Sequence, residues 1–319
     1  MKRTGQNKGF TIVELLTVMA VIALLIGLLV PALALVKDRA KEVQQRAQFH
    51  AITSGLEMFK ADFGDYPESN DNSVDTLSSP RKMADPTPYL GANKLAEAMV
   101  GLDYLGFHPS SDFRADGANI VVDKNLNSQE YIVYWAFNDS QAAWQTAREN
   151  IEARKGPYVE LENANAFRMD EVYGPAANLG SFFSTGWDNQ YPLVLCDVFS
   201  RKRSGTGAKK TGTPILYFRA RTHHTKQDSR AAADMEDSIY YFPDNERILE
   251  MGMPDTGAAH ALYTTGNNEF ENFDDMVLNK NVQAVRRPYR AGSFILWSAG
   301  KDGSFGTADD IFNFTREAE

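Results

Sequence analysis

The chain opens on nine residues that carry Lys2, Arg3 and Lys8 and no acid, and then changes character abruptly. From Leu15 to Val36 there are 22 residues without a formal charge. As a helix this run is ~33 Å long, enough to cross the hydrocarbon core of a bilayer. Beyond it the pattern turns amphipathic. Val36, Ala40, Val43, Ala47, Ala51, Leu56, Phe59 and Phe63 recur mostly every three or four residues with charges between them, which predicts a continuing helix with one apolar stripe. Gly64-Asp65-Tyr66-Pro67 ends it, because Gly and Pro interrupt helix and the residue before Pro avoids the α region. The prediction is one helix of ~80 Å from Phe10 to about Asp62. Pro31, inside the apolar run, is expected to kink or locally melt it.

After Pro67 the periodicity shortens. Residues 68–88 are rich in Ser, Asp, Asn and Pro and read as a loop. A helix is predicted from Asn93 to Val100, and a short one over Trp144–Arg154. Strands are predicted at Ile120–Val122, Tyr131–Phe137, Leu193–Phe199, Ile215–Arg219, Ile239–Phe242 and Ser293–Ser298, each alternating or continuously apolar and rich in β formers. The pattern as a whole predicts an α+β fold. The outer half of one long helix packs on an antiparallel sheet, and a large insertion (about residues 69–290) elaborates it. No internal repeat is visible.

Composition narrows the function classes. The net charge is −9, and the basic leader with its apolar run contributes +2, leaving −11 for residues 37–319. An acidic region of that kind lacks the clustered positive charge of a nucleic-acid surface. Ser200–Thr213 (SRKRSGTGAKKTGT) is locally basic and Gly-rich but lacks the G-x-x-x-x-G-K-[ST] spacing of a phosphate loop; it reads as a solvated hairpin connector. Cys196 is the one cysteine, so no intramolecular disulfide can form. It sits in the apolar run Tyr-Pro-Leu-Val-Leu-Cys-Asp-Val-Phe and reads as a small buried hydrophobe. No H-E-x-x-H or G-x-S-x-G pattern occurs, which removes the common zinc-protease and hydrolase signatures. His223-His224 lies between Arg221 and Lys226 and reads as a surface loop. No enzyme activity is expected.

The junction at the front of the apolar run carries the most specific chemistry. A secretory signal is cut after its apolar core, whereas Gly9-Phe10 precedes the core, and Thr11-Ile-Val-Glu14 follows at once. Glu14 is an ionisable group at the edge of an apolar span, and a carboxylate there needs a partner. The basic leader, the Gly9-Phe10 junction, Glu14 and the apolar helix together resemble the type III signal sequence of type IV pilins and type II secretion pseudopilins. Ile52 to Pro67 similarly resembles the helix end of the major type II secretion pseudopilin.

The resemblance implies a leader of residues 1–9 removed by a prepilin peptidase, which cuts after Gly9 and N-methylates Phe10. It implies a span of about residues 10–36 within a helix of residues 10–63, and an extracytoplasmic domain of residues 64–319. The expected place is the bacterial inner membrane, single-pass, with the N-terminus cytoplasmic and the domain periplasmic. Glu14 would pair with the terminal amine of another subunit as a filament assembles. The implied partners are the membrane, further copies of the chain, other pseudopilins and an inner-membrane assembly platform. A surface pilus subunit or adhesin is the alternative role.

Ser298-Ala-Gly-Lys-Asp302-Gly-Ser-Phe-Gly-Thr-Ala-Asp309-Asp310-Ile311 puts three Asp and three Gly into 14 positions, a dense set of oxygen donors with hinges that let carbonyls converge. Calcium takes six to eight oxygens, carbonyls and water included; an acidic turn is the plainer reading. The order of these residues resembles the C-terminal calcium loop (about residues 298–311) of the major pseudopilin. Carried over, it makes Asp302 and Asp310 calcium ligands, with Asp309 and Ser298 as further donors. Asp123–Glu130 also alternates oxygen donors but lacks the Gly and the terminal Glu of a calcium loop, and a turn between strands is its better reading.

Overall fold

A computed structural model describes residues 11–70, 88–122, 128–134, 148–174, 190–202, 209–230, 235–264 and 268–316, with a few positions between 175 and 189. Two compact units divide the chain, Met1–Gln44 and Gln45–Glu319. Helix α1 runs over Ile12–Phe63, and the helix is not interrupted at Pro31, so the expected local melting does not occur. Proline removes one backbone donor, and a helix of 52 residues carries that single loss. In the first unit the large apolar side chains from Ile12 to Val36 all stand exposed, from 48% at Leu33 to 81% at Ile12. A helix that is apolar on every side calls for lipid or other helices around it, and α1 is long and apolar enough to cross a membrane.

In the second unit the buried stripe of α1 is Gln45, Gln48, Phe49, Ile52, Leu56 and Phe59. This corrects the predicted stripe in its first half, where Val36, Ala40, Val43 and Ala47 are exposed. The reason is hydrogen bonding. Gln45 Oε1 accepts from Val198 N at 2.9 Å, and Gln48 Nε2 donates to Ala164 O at 3.3 Å and Cys196 O at 2.9 Å. Glutamine belongs inside wherever it satisfies backbone groups that strands have left open. Gly55 lets α1 come close, since a Cβ there would lie 2.9 Å from Met99 Sδ and 3.0 Å from Val159 Cγ2.

Helix α2 (Gly91–Val100) is buried at all ten positions. Asn93 Nδ2 donates to Leu193 O at 2.9 Å. Asn245 joins Ala92 N at 2.9 Å to Tyr217 O at 2.7 Å. The strands are β1 (Ala118–Val122), β2 (Ser128–Ile132), β3 (Ala166–Arg168), β4 (Leu193–Leu195), β5 (Arg201–Lys202), β6 (Lys210–Thr211), β7 (Leu216–Arg219), β8 (Phe294–Ser298) and β9 (Ile311–Phe312). All described pairings of these strands are antiparallel: β1 with β2, β3 with β4, β5 with β6, and β7-β8-β9 in one sheet. A bridge between Cys196 and Pro214 joins the β3-β4 pair to the start of β7.

The β7-β8-β9 sheet is covered on both faces. Ile215, Tyr217, Phe294 and Leu296 join the core beneath α1 and α2. Leu216, Phe218, Ile295 and Trp297 join a second core with Phe242, Ile248 and Phe273. Double burial makes these strands continuously apolar rather than alternating. Four expectations change. Ile239–Phe242 is no strand but leads into a 3₁₀ turn at Phe242–Asp244, because Tyr240 N and Ile239 N are taken by Gln227 Oε1 and Lys226 O. The strand foreseen at Tyr131–Phe137 starts earlier, at Ser128, and residues 135–137 lie outside the described ones. Within Leu193–Phe199 only Leu193–Leu195 is strand. Of Trp144–Arg154, residues 148–152 are helical and 144–147 lie outside.

Candidate functional site

Gly9 and Phe10 lie outside the described residues. Thr11 caps α1. Glu14 Oε2 accepts from Thr11 N at 2.9 Å and from Thr11 Oγ1 at 2.8 Å, and Glu14 N donates back to Thr11 Oγ1 at 3.2 Å. This is a reciprocal capping box, in which Thr and Glu three residues apart satisfy donors that the first helical turn leaves open. The helix dipole favours the same negative charge at this end. The T-x-x-E spacing stood in the sequence as a sign of this role. Within one chain, then, Glu14 already has donors on Oε2, and among the described residues none is given to its second carboxylate oxygen.

The C-terminal loop follows β8. Glycines at 300, 303 and 306 take φ of 64°, 73° and 93°, a region that side chains with a Cβ rarely enter. Asp302 N donates to Asp309 Oδ2 at 2.9 Å and Ser304 N to Asp302 Oδ1 at 2.8 Å. Thr307 Oγ1 donates to Asp309 Oδ1 at 2.6 Å. Asp310 points inward, where its Oδ2 accepts from Gly306 N at 2.8 Å and Thr307 N at 3.1 Å. Its Oδ1 is buried without a hydrogen-bond partner. Trp297 Nε1 faces this carboxyl and favours its charged form, yet no hydrogen bond of ordinary geometry closes between them, and Nε1 too is unpartnered.

The acids titrate apart. Burial raises Asp302, and the neighbouring Asp309 charge raises it further. Burial also acts on Asp309, but the Thr307 hydroxyl and the Asp302 N–H outweigh it and hold that carboxyl below its ordinary value. Burial pushes Asp310 well above the carboxylate range, more than its backbone donors pull it down.

Asp302 and Asp309 are thus brought together, while Asp310 lies inside, on backbone N–H groups. Ser298 is turned elsewhere: its Oγ donates to Asp197 Oδ2 at 3.0 Å and accepts from Gly300 N at 3.2 Å. Among the described residues no cluster of three or more His, Cys, Asp or Glu side chains is arranged to hold a metal. Asp123–Asn127 lie outside the described residues, and Ser128–Glu130 belong to β2. The rings of His223 and His224 lie 3.9 Å apart and take part in no such cluster. Cys196 is fully buried, and burial pushes its thiol up.

Sequence reasoning missed Asp197. It is fully buried, accepts from Thr213 N at 3.2 Å and Phe199 N at 3.1 Å, and binds Ser298. Its signal was an ionisable residue in the middle of an apolar run, which needs compensating donors.

Comparison with known proteins finds a family model at the N-terminus and relatives over part of the chain. The model of the prokaryotic N-terminal methylation motif matches residues 5–30. The type II secretion system core protein G of Escherichia coli K12 is 25% identical over 146 residues, covering 43% of this chain and 97% of that protein. The core protein G of Aeromonas hydrophila is 23% identical over 139 residues, 43% of this chain and 97% of its own length. That of Pseudomonas aeruginosa is 33% identical over 64 residues, 20% of this chain and 45% of its own length. No solved structure matches the chain. A methylation motif set on a long apolar helix, an α+β domain behind it and relatives matched nearly end to end support a pilin-like protein of the pseudopilin kind.

Proposed function

We propose that the chain is a structural subunit of a type II secretion pseudopilus, made as a precursor, cut after Gly9 by a prepilin peptidase, N-methylated at Phe10 and assembled into a periplasmic filament that supports protein secretion. The observation that carries this reading is the methylation motif over residues 5–30, joined to relatives named type II secretion system core protein G that match over 97% of their own length. The leader is residues 1–9, the span about residues 10–36, and the domain lies on the periplasmic side of the inner membrane. Neither site supplies a nucleophile or an acid–base pair, and the role is one of assembly, with the assembly platform and other pseudopilins as partners. Glu14 holds its own Thr11 in the isolated chain and offers its remaining oxygen to the terminal amine of a neighbouring subunit.

The C-terminal loop fits a divalent cation in part. Asp302 and Asp309 crowd each other, and Asp310 Oδ1 is a buried acceptor without a donor. Asp302 and Asp309 are the first pair to hold calcium in this reading, with Asp310 and loop carbonyls as further oxygens. The cation supplies the charge that closes an acidic loop where no disulfide can form. Ser298 is not among the ligands, its hydroxyl being committed to Asp197.

The test is removal of the gene from its host. Loss of proteins from the culture medium, with no filament in a sheared-surface fraction, supports the pseudopilus; intact secretion and loss of a surface filament supports the pilus alternative and overturns it.

A further inference from the structure

The basic connector between β4 and β7 has no part in the assignments above, yet its first cation sits in the C-terminal loop. Arg201 opens β5. Its Nη2 donates to Gly300 O at 3.1 Å and also to Lys301 O. The guanidinium lies against the bare Cα of Gly303, where an added Cβ would fall on Arg201 Nη1. Four residues earlier in the same segment, Asp197 takes the Ser298 hydroxyl at 3.0 Å. One stretch of chain therefore grips Ser298 with an anion and Gly300-Lys301 with a cation. The carboxylates of Asp302 and Asp309 meet their donors from within the loop, at Ser304 N, Asp302 N and Thr307 Oγ1.

We propose that Arg201 is a positioning residue for the cation site of this loop: a tethered guanidinium that fixes the Gly300–Gly303 turn and so holds Asp302 opposite Asp309 before any metal arrives. The inference rests on the calcium reading given above. Glycines make the free loop costly to order. A planar guanidinium donates along fixed directions, and such charge-assisted bonds are the strong ones. Order supplied by Arg201 is order that metal binding need not supply. Lysine offers a point charge without the fork, so it replaces arginine only in part. The opposing effect is repulsion between the guanidinium and an arriving cation. The two effects have opposite signs, so the experiment decides between them.

The experiment is calcium titration calorimetry on the full chain in detergent, together with hydrogen exchange of the loop amides in chelator. It compares wild type with Arg201→Met and Arg201→Lys. Groups that orient metal ligands from outside are worth ~10–100-fold in affinity. Arg201→Met is expected to bind calcium that much more weakly and to exchange its loop amides faster in chelator while α2 exchanges as in wild type; Arg201→Lys falls between. Wild-type or tighter calcium affinity in Arg201→Met overturns the proposal. Wild type that takes up no calcium overturns the calcium reading instead. The chelator arm then still reads the clamp, and unchanged loop exchange in Arg201→Met removes that too.

Discussion

Glu97 offers the sharpest test of the domain's interior. It lies on the fully buried helix α2, where Tyr89 OH donates to its Oε2 at 2.7 Å and Ser111 Oγ to its Oε1. Tyr134 and Lys94 also favour its charged form, but burial outweighs them and raises the carboxyl from 4.5 to about 7. Tyr134 is itself approached by His108 N at 3.2 Å and by Arg154 over its ring at 4.2 Å. In the unfolded chain the carboxyl ionises near its ordinary value. Below that value both states hold the proton and Glu97 costs nothing extra. As pH rises the unfolded state loses its proton first. Stability therefore falls from about pH 4.5 to about pH 7 and levels off above, by about 3 kcal/mol in all. Glu97→Gln cannot ionise, and its amide can still meet the Tyr89 and Ser111 hydroxyls. Urea unfolding of the full chain in detergent, from pH 4.5 to 8, measures both proteins. Their difference cancels every other titrating group. The variant should gain about 3 kcal/mol on wild type between the two ends of that range; parallel curves would refute a buried, proton-holding Glu97.

Four further outcomes follow from the sites. N-terminal sequencing of the protein from membranes should begin at Phe10, and Gly9→Val should leave the leader in place; a start at Met1 in wild type refutes the processing site. Glu14→Val should insert into membranes at least as well, losing a charge that costs ~2.5–3.5 kcal/mol in an apolar span, while filament yield drops; equal polymerisation at matched expression makes Glu14 only a helix cap. Gln48→Leu removes a donor from Ala164 O and one of two donors from Cys196 O, where Asn165 Nδ2 remains, and should cost ~1–3 kcal/mol, visible as a lower urea midpoint; an unmoved midpoint means water takes its place. Calcium at ~100 times its dissociation constant should add ~2.7 kcal/mol to wild type and nothing to Asp302→Ala, with magnesium a poor substitute; thermal melts that ignore both chelator and the substitution leave the loop an acidic turn.

The long helix and its end at Gly64 were legible because periodicity and breakers agree there. The stripe that buries its second half was not, since Gln45 and Gln48 look like surface residues until the strand ends they serve are placed. The strands β7 and β8 were legible as continuous apolar runs. Strand β9 was not, because two residues, Ile311 and Phe312, follow an acidic loop and pair only through Trp297 and Ser298. The helix Glu269–Val277 was missed for a related reason. Its sequence EFENFDDMV is half acidic, and its buried side, Phe273, Asp274, Met276 and Val277, includes an Asp held by Gln227, Ser229 and Arg286. At the sites, the order of residues announced the N-terminal signal and the acidic loop. It was silent on which side of the loop each carboxylate takes, because that depends on the positive-φ turns at Gly300, Gly303 and Gly306 and on which loop donors they aim at each acid.

The central region of the chain is structurally integral rather than appended. Core protein G of Escherichia coli is matched over 97% of its length by 43% of this chain, so more than half of the sequence lies outside that match. Yet the β7-β8-β9 sheet depends on a second cover. Leu216, Phe218, Ile295 and Trp297 are fully buried on the face away from α1, against Phe242, Ile248 and Phe273 of the central region. Burying a large apolar side chain is worth ~1.5–3 kcal/mol, so baring these four would forfeit ~6–12 kcal/mol, comparable with the whole stability of a typical domain, ~5–15 kcal/mol. Excising the central region therefore cannot return a smaller stable domain unless the outer face of the sheet is made polar at the same time. The sequence already implied as much: a sheet with one wet face alternates, and β7 and β8 do not.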